Sequence, residues 1–292
     1  MNEQLSKNAR KIILEFIENE LPNKKIEDFK YYSFLNIKNK KFDNQKGYPD
    51  GDCTKIVYAI DYLLYADISD DFKIPDYPNS SEKDCNFIGE TINTFNTIFS
   101  KDEDNRELVK SLFTESDWKL IIDEDNRDKP FGDDYFHIYQ NLGNFMLLPS
   151  RTLFGKSLNN YRGDFYGWKD YFYIFMENLK KSYNEKNITS DKNKQLYELY
   201  LLKNENAFFF NHISFEDFIE KFYLQGYKNL RTVNNKYVNW KDLLKNRDKQ
   251  DIKIVLEFIE NAKEFIKNRS EVLVKILKDK LNDTDFPNKY LS

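Results

Sequence analysis

Residues 252–281 read IKIVLEFIENAKEFIKNRSEVLVKILKDKL. Ile252, Val255, Phe258, Ile259, Ala262, Phe265 and Ile266 recur every three or four positions, and Leu273, Ile276 and Leu277 resume the series. That spacing puts one apolar stripe on a helix and leaves Lys and Glu on the other side. Asn268-Arg269-Ser270 interrupts the stripe and predicts a break into two helices. The same period recurs toward the N-terminus. Leu5, Ala9, Ile12, Ile13, Phe16 and Ile17 form one stripe, and Ile56, Val57, Ile60, Leu63 and Leu64 another.

Working outward, a helix is predicted over Ile26–Asn36. Tyr48-Pro49-Asp50-Gly51 has turn chemistry, and Asp52 is placed to cap the helix after it. Further helices are predicted over Glu90–Phe99, 104–113, 116–123 and Trp168–Tyr183. Ser214 with Asp217 three residues on reads as a capping box. Strand signals are few: Arg231-Thr232-Val233 and Lys236-Tyr237-Val238 flank Asn234-Asn235 as a short hairpin. The expected fold is mainly α, a compact multi-helix protein with an irregular, glycine-containing segment over 135–168. A single domain over 1–292 is expected. A polar loop at 184–193 is the one place for a subdivision into 1–183 and 194–292.

Composition narrows the function. The chain has 292 residues, 40% hydrophobic and 32% charged, which is a globular balance. A net charge of −4 disfavours a large phosphate-binding face. The aromatic share of 16% fits either AT-rich codon usage or an aromatic binding surface. Cys53 and Cys85 suit two structural thiols in a reducing cytoplasm. MNEQLSKNARKIILEF lacks the apolar core of a leader, and no apolar run approaches the roughly 18 residues of a membrane span. A cytoplasmic protein with no membrane contact is therefore expected.

Catalytic signatures are scarce. No phosphate-cradling loop, dinucleotide fingerprint or nucleophile elbow is present. The two histidines, His137 and His212, lack ligand spacing, so neither metal nor cofactor is expected and no catalytic residue is assigned. Two segments stand out. In GETINTFNTIF, residues 89–99, Asn93 and Asn96 share a helical face that Lys or Glu would solvate better. From 143 to 170, Asn144, Asn159, Arg162, Asp164, Trp168 and Asp170 cluster around the apolar run Phe145–Leu148. The plainer reading makes Arg162 with its neighbouring aspartates an ion pair bracing a loop. The functional reading makes all eight residues ligand-binding. Between 228 and 249, seven Lys and Arg stand against Asp242 and Asp248, with Tyr237 and Trp240 interleaved. That pattern allows weak nucleic-acid binding or simply a solvated face.

GETINTFNTIF, NLGNFMLLP, SLNNYRGD and WKDYF, preceded by FDNQKGYPDGD, resemble an uncharacterised family of bacterial hypothetical proteins, a domain of unknown function, across roughly residues 42–183. That resemblance implies relatives without an activity. Leu142–Leu148, followed by Asn159 and Lys169, is similar to the closing part of a His-Asn-His nuclease domain of modification-dependent restriction enzymes. That family carries an acidic-His-Ile-x-Pro element upstream. Here no histidine lies between Gly89 and Phe136, His137-Ile138 falls too close to Gly143, and Tyr139-Gln140 replaces x-Pro. The catalytic half is missing. The leading expectation is an intracellular accessory protein that binds a ligand or protein partner through 89–99 and 143–170. A Mg-dependent enzyme acting on nucleic acid, with Asp164 or Asp170 on the metal, is the alternative. A partner-binding component of a defence or toxin–antitoxin locus is the third.

Overall fold

The spine of the molecule is one uninterrupted helix of 34 residues, Lys249–Asn282, onto which most other elements pack. The structure, a computed structural model, describes residues 3–37, 42, 54–65, 87–92, 107, 110–126, 131–148, 172–184, 214–230, 249–282 and 284–291. In chain order the elements are α1 (Glu3–Asn19), α2 (Lys55–Tyr65), β1 (Phe87–Glu90), α3 (Glu115–Ile121), α4 (Tyr135–Tyr139), β2 (Phe145–Leu148), α5 (Phe172–Asn184), α6 (Phe215–Lys221) and α7 (Lys249–Asn282). Single 3-10 turns separate several of them. The protein is mainly helical, as its apolar periods predict.

The predicted break at Asn268-Arg269-Ser270 does not occur. Asn and Ser cost roughly 0.5 kcal/mol each in a helix. The stripe on both sides offsets that cost, with Ile266, Leu273, Val274 and Leu277 all buried. Arg269 and Ser270 are themselves buried and bonded to other elements.

The expected helix over Ile26–Asn36 is instead two 3-10 turns, Ile26–Lys30 and Phe34–Asn36, joined by extended Ser33. The cause is a long-range bond: Phe34 N–H donates to the Gln140 carbonyl at 2.8 Å rather than to its own preceding turn. The kink turns Phe29, Tyr32 and Phe34 inward around Phe16. Their ring centroids lie 5.5–6.0 Å from it, and Phe42 closes the nest at 5.0 Å. Aromatic pairs at such spacings add roughly 0.5–1.5 kcal/mol each beyond area burial.

Helix α2 starts one residue after Thr54, whose Oγ1 accepts from Val57 N–H at 3.4 Å. Thr54 holds the capping place; Asp52, expected there, lies outside the described residues. Ser214 and Asp217 form the capping box of α6 with both reciprocal bonds present. In α5, Phe172, Phe175, Met176 and Leu179 recur at helical spacing and are buried.

The largest departure concerns 87–92. The expected helix from Glu90 does not begin there, because β1 pairs antiparallel with β2 in the register Phe87↔Leu148 to Glu90↔Phe145. The irregular segment also gains order at its start. Residues 135–148 form a helical turn, a 3-10 turn over Leu142–Asn144 and then β2. One continuous apolar cluster joins these parts, from Ala9 on α1 to Leu291. The hairpin expected at 231–238 lies outside the described residues. Among the described residues, no helix is long and apolar enough to cross a membrane.

Candidate functional site

At Gly143 the chain lies with its backbone directly against α7. A Cβ there would sit 2.0 Å from the Ile266 carbonyl oxygen and 2.8 Å from the Ser270 nitrogen. No other side chain fits while the backbones stay in contact. The contact aligns polar groups on both sides. Gly143 N–H donates to Ser270 Oγ at 2.9 Å and to Asn141 Oδ1 at 3.0 Å. Ser270 O–H in turn donates to Asn141 Oδ1. Asn141 Nδ2 reaches the Lys30 carbonyl at 2.8 Å, tying in the 3-10 turn near α1.

Asn144, the next residue, is the one predicted contact residue that the structure describes. It is fully buried. Its Oδ1 accepts from Thr91 Oγ1 at 2.5 Å and Ile92 N–H at 3.0 Å. Its Nδ2 donates to the carbonyls of Ile92 at 2.9 Å and Tyr139 at 2.7 Å. An amide has two donors and two acceptor sites, so the chain itself engages all of this one. In this arrangement Asn144 brackets residues 91–92 against β2. Asn93, Asn96, Asn159, Arg162, Asp164, Trp168 and Asp170 lie outside the described residues, as do Cys53, Cys85 and His212.

Below the bracket lies a buried charge. Arg269 is 3% exposed. Its Nη1 donates to the Gly143 carbonyl at 2.7 Å and to the Phe145 carbonyl. Its Nε and Nη2 both donate to the Phe222 carbonyl, at 3.3 and 3.2 Å, and Nη2 also donates to the Tyr65 hydroxyl at 3.3 Å. Asp61 lies one helical turn before Tyr65 on α2, 1% exposed, with Oδ2 hydrogen-bonded to nothing. Burial pushes the Asp61 carboxyl up to about 7, and the positive field of Arg269 only partly opposes this.

Asp61 sits unsignalled inside the apolar stripe of α2. Arg269 and Ser270 did carry a signal, polar residues inside an apolar stripe, but it points equally to a helix break. His137 is buried, with Nδ1 against the Asp134 carboxylate that also caps α4. It therefore belongs to the packing of that turn. Of the basic stretch, Lys228 falls in the 3-10 turn Tyr227–Leu230 and residues 231–248 lie outside the described residues.

A separate surface cleft of about 960 Å³ opens beside the 3-10 turn Ile26–Lys30, with Tyr31, Asp123, Phe131 and Asp133 on its walls. Its two lysines are matched: Lys30 pairs with Glu27 at 2.6 Å and Lys267 with Asp133 at 2.8 Å. Among the described residues, no three His, Cys, Asp or Glu side chains are grouped to hold a metal ion. No family model matches the chain, and no curated protein or solved structure is detectably similar to it. The two resemblances therefore rest on the quoted motifs alone.

Proposed function

We propose that this protein is a binding module that takes an anionic ligand, or an anionic group of a macromolecular partner, through the 89–99 and 143–170 segments. Arg162 is the central contact in this reading. Asn93, Asn96, Asn159, Asp164, Trp168 and Asp170 complete the site, and Asn144 holds its base. One observation carries the reading: β1 and β2 pair, and Asn144 bonds Thr91 and Ile92, so the two polar segments are rooted side by side. The ladder fixes the strands as neighbours, and the chain continues from Glu90 at one end of it and from Leu148 at the other. A guanidinium presents five donors in a planar fork that suits phosphate or carboxylate.

The test is thermal melting of the intact protein and Arg162→Lys with ATP, a dicarboxylate and a short single-stranded RNA. At least one anion should raise the melting temperature of the native chain, because a ligand that binds only the folded state stabilises it. Arg162→Lys should melt at an unchanged temperature without ligand and lose that rise. A variant that unfolds, or that keeps the full rise, removes Arg162 from the site. Mg-dependent cleavage of the RNA that Asp164→Asn abolishes would replace binding with catalysis.

A further inference from the structure

A guanidinium carries five N–H donors. Arg269 spends its bonds on four neutral acceptors: the carbonyls of Gly143, Phe145 and Phe222, and the Tyr65 hydroxyl. The drawn bonds use the whole donor set, and none reaches Asp61. Any bond between Asp61 and Arg269 must therefore be taken from one of those acceptors. We propose that Asp61 and Arg269 form a protonation-dependent latch on the base of β2. With Asp61 neutral, the guanidinium holds the carbonyls on both sides of Asn144. With Asp61 ionised, the guanidinium turns to the carboxylate and lets them go.

The physical grounds are competitive. An ionised carboxylate without a partner in the interior is strongly disfavoured, and a paired one much less so. A charge-assisted bond is roughly twice as strong as one to a neutral carbonyl. An ionised Asp61 thus outbids the neutral acceptors for the same N–H groups, whereas a neutral Asp61 does not. Arg269 is the charge that acts on Asp61 among the described groups. From its own helix Asp61 meets Tyr65, whose hydroxyl burial pushes above its ordinary range. Tyr223 faces Tyr65 across 6.1 Å from the turn after α6. Lys280, the other α7 cation bonded to α2, gives its Nζ to the Leu64 carbonyl at 3.3 Å. Helix α1, packed along α2, brings no described charge to bear on Asp61. The switching range lies near neutrality, where burial has moved the carboxyl.

The latch would loosen the base on which the proposed binding segments stand. That consequence rests on the binding reading, but the latch itself needs no ligand and is tested without one. Amide hydrogen exchange on the intact protein, corrected for intrinsic rates, reads it between about pH 5.5 and 8.5. Protection of the Gly143, Asn144 and Thr91 amides should fall roughly tenfold with a midpoint near neutrality, a fall that corresponds to about 1.4 kcal/mol lost from local opening when the two carbonyl bonds are released. Trp118, bonded within the first turn of α3, serves as the control and should not change. In Asp61→Asn the fall should vanish. If that variant does not fold, the Arg269 Nε–H resonance of the native chain decides, because it should titrate over the same range. Flat protection, an Nε–H signal that does not titrate, or an equal fall in Asp61→Asn overturns the latch.

Discussion

At the scale of single residues, the decisive feature is a missing Cβ. Gly143 faces the backbone of α7, and backbone cannot rotate out of the way as a side chain can. A methyl at 2.0 Å from the Ile266 carbonyl must push α7 away from the 142–144 turn. That movement would stretch the Arg269 and Ser270 bonds together. Gly226 offers a fair contrast, since a methyl there meets the Phe265 ring at 3.2 Å, and a ring edge shifts by tenths of an ångström. Overpacking against rigid neighbours costs about 3 kcal/mol or more, and against a movable side chain about 1 kcal/mol or less. Urea unfolding should therefore find Gly143→Ala the less stable variant by about 2 kcal/mol. Equal midpoints for the two would mean that the approach of α7 to the turn is soft.

At the scale of elements, α6 tests how far local rules govern the fold. Ser214 accepts from Asp217 N–H at 3.1 Å, and the Asp217 carboxylate accepts from Ser214 N–H at 3.2 Å. Replacing a capping Ser by Ala costs about 1 kcal/mol, and by Gly only a few tenths. Ser214→Ala should lower the unfolding free energy by that larger amount and Ser214→Gly by the smaller. Ala as stable as Gly would show that burial of Phe215 and Phe218 alone sets this helix. The cap was legible because its signal lies within four residues, and the stripes of α1, α2, α5 and α7 were legible because they repeat over two or more turns. The β1–β2 ladder was not. Each strand is four residues long, too short for a period of two to register, and its partner is more than 50 residues away. The two 3-10 turns over 26–36 were hidden for a related reason: a bond from Phe34 to Gln140 decides them. In the sequence Asn144 stands out only as a candidate ligand contact. What the sequence could not convey is that Thr91, Ile92 and Tyr139 consume its amide.

At the scale of the whole molecule, α7 runs about 51 Å and gathers α2, α3, α4 and the 142–144 turn along its length. Its stripe is interrupted by buried Arg269, and buried Asp61, on which that cation acts, keeps its proton up to about pH 7. This gives stability an unusual dependence on pH. Unfolded Asp61 ionises near its ordinary value of 3.8, and folded Asp61 only near 7. Between those values the folded state holds a proton that the unfolded state has released. Stability must then fall as pH rises through that window and level off above it. Two carboxylates nearer the surface act elsewhere: Lys30 holds Glu27 below the usual range and Lys267 does the same to Asp133. Their contribution is present above the ordinary carboxylate range and is lost only as pH drops through their lowered values. The two effects occupy different windows, so the difference between native protein and Asp61→Asn isolates the buried group. Urea unfolding from about pH 4 to 8 should show the native chain losing ground to Asp61→Asn by roughly 1.4 kcal/mol for each unit of the shift. Most of that loss should be complete by about pH 7. A difference that stays constant across the range would mean that Asp61 ionises as readily in the folded chain as in the unfolded one, and that Arg269 already satisfies it.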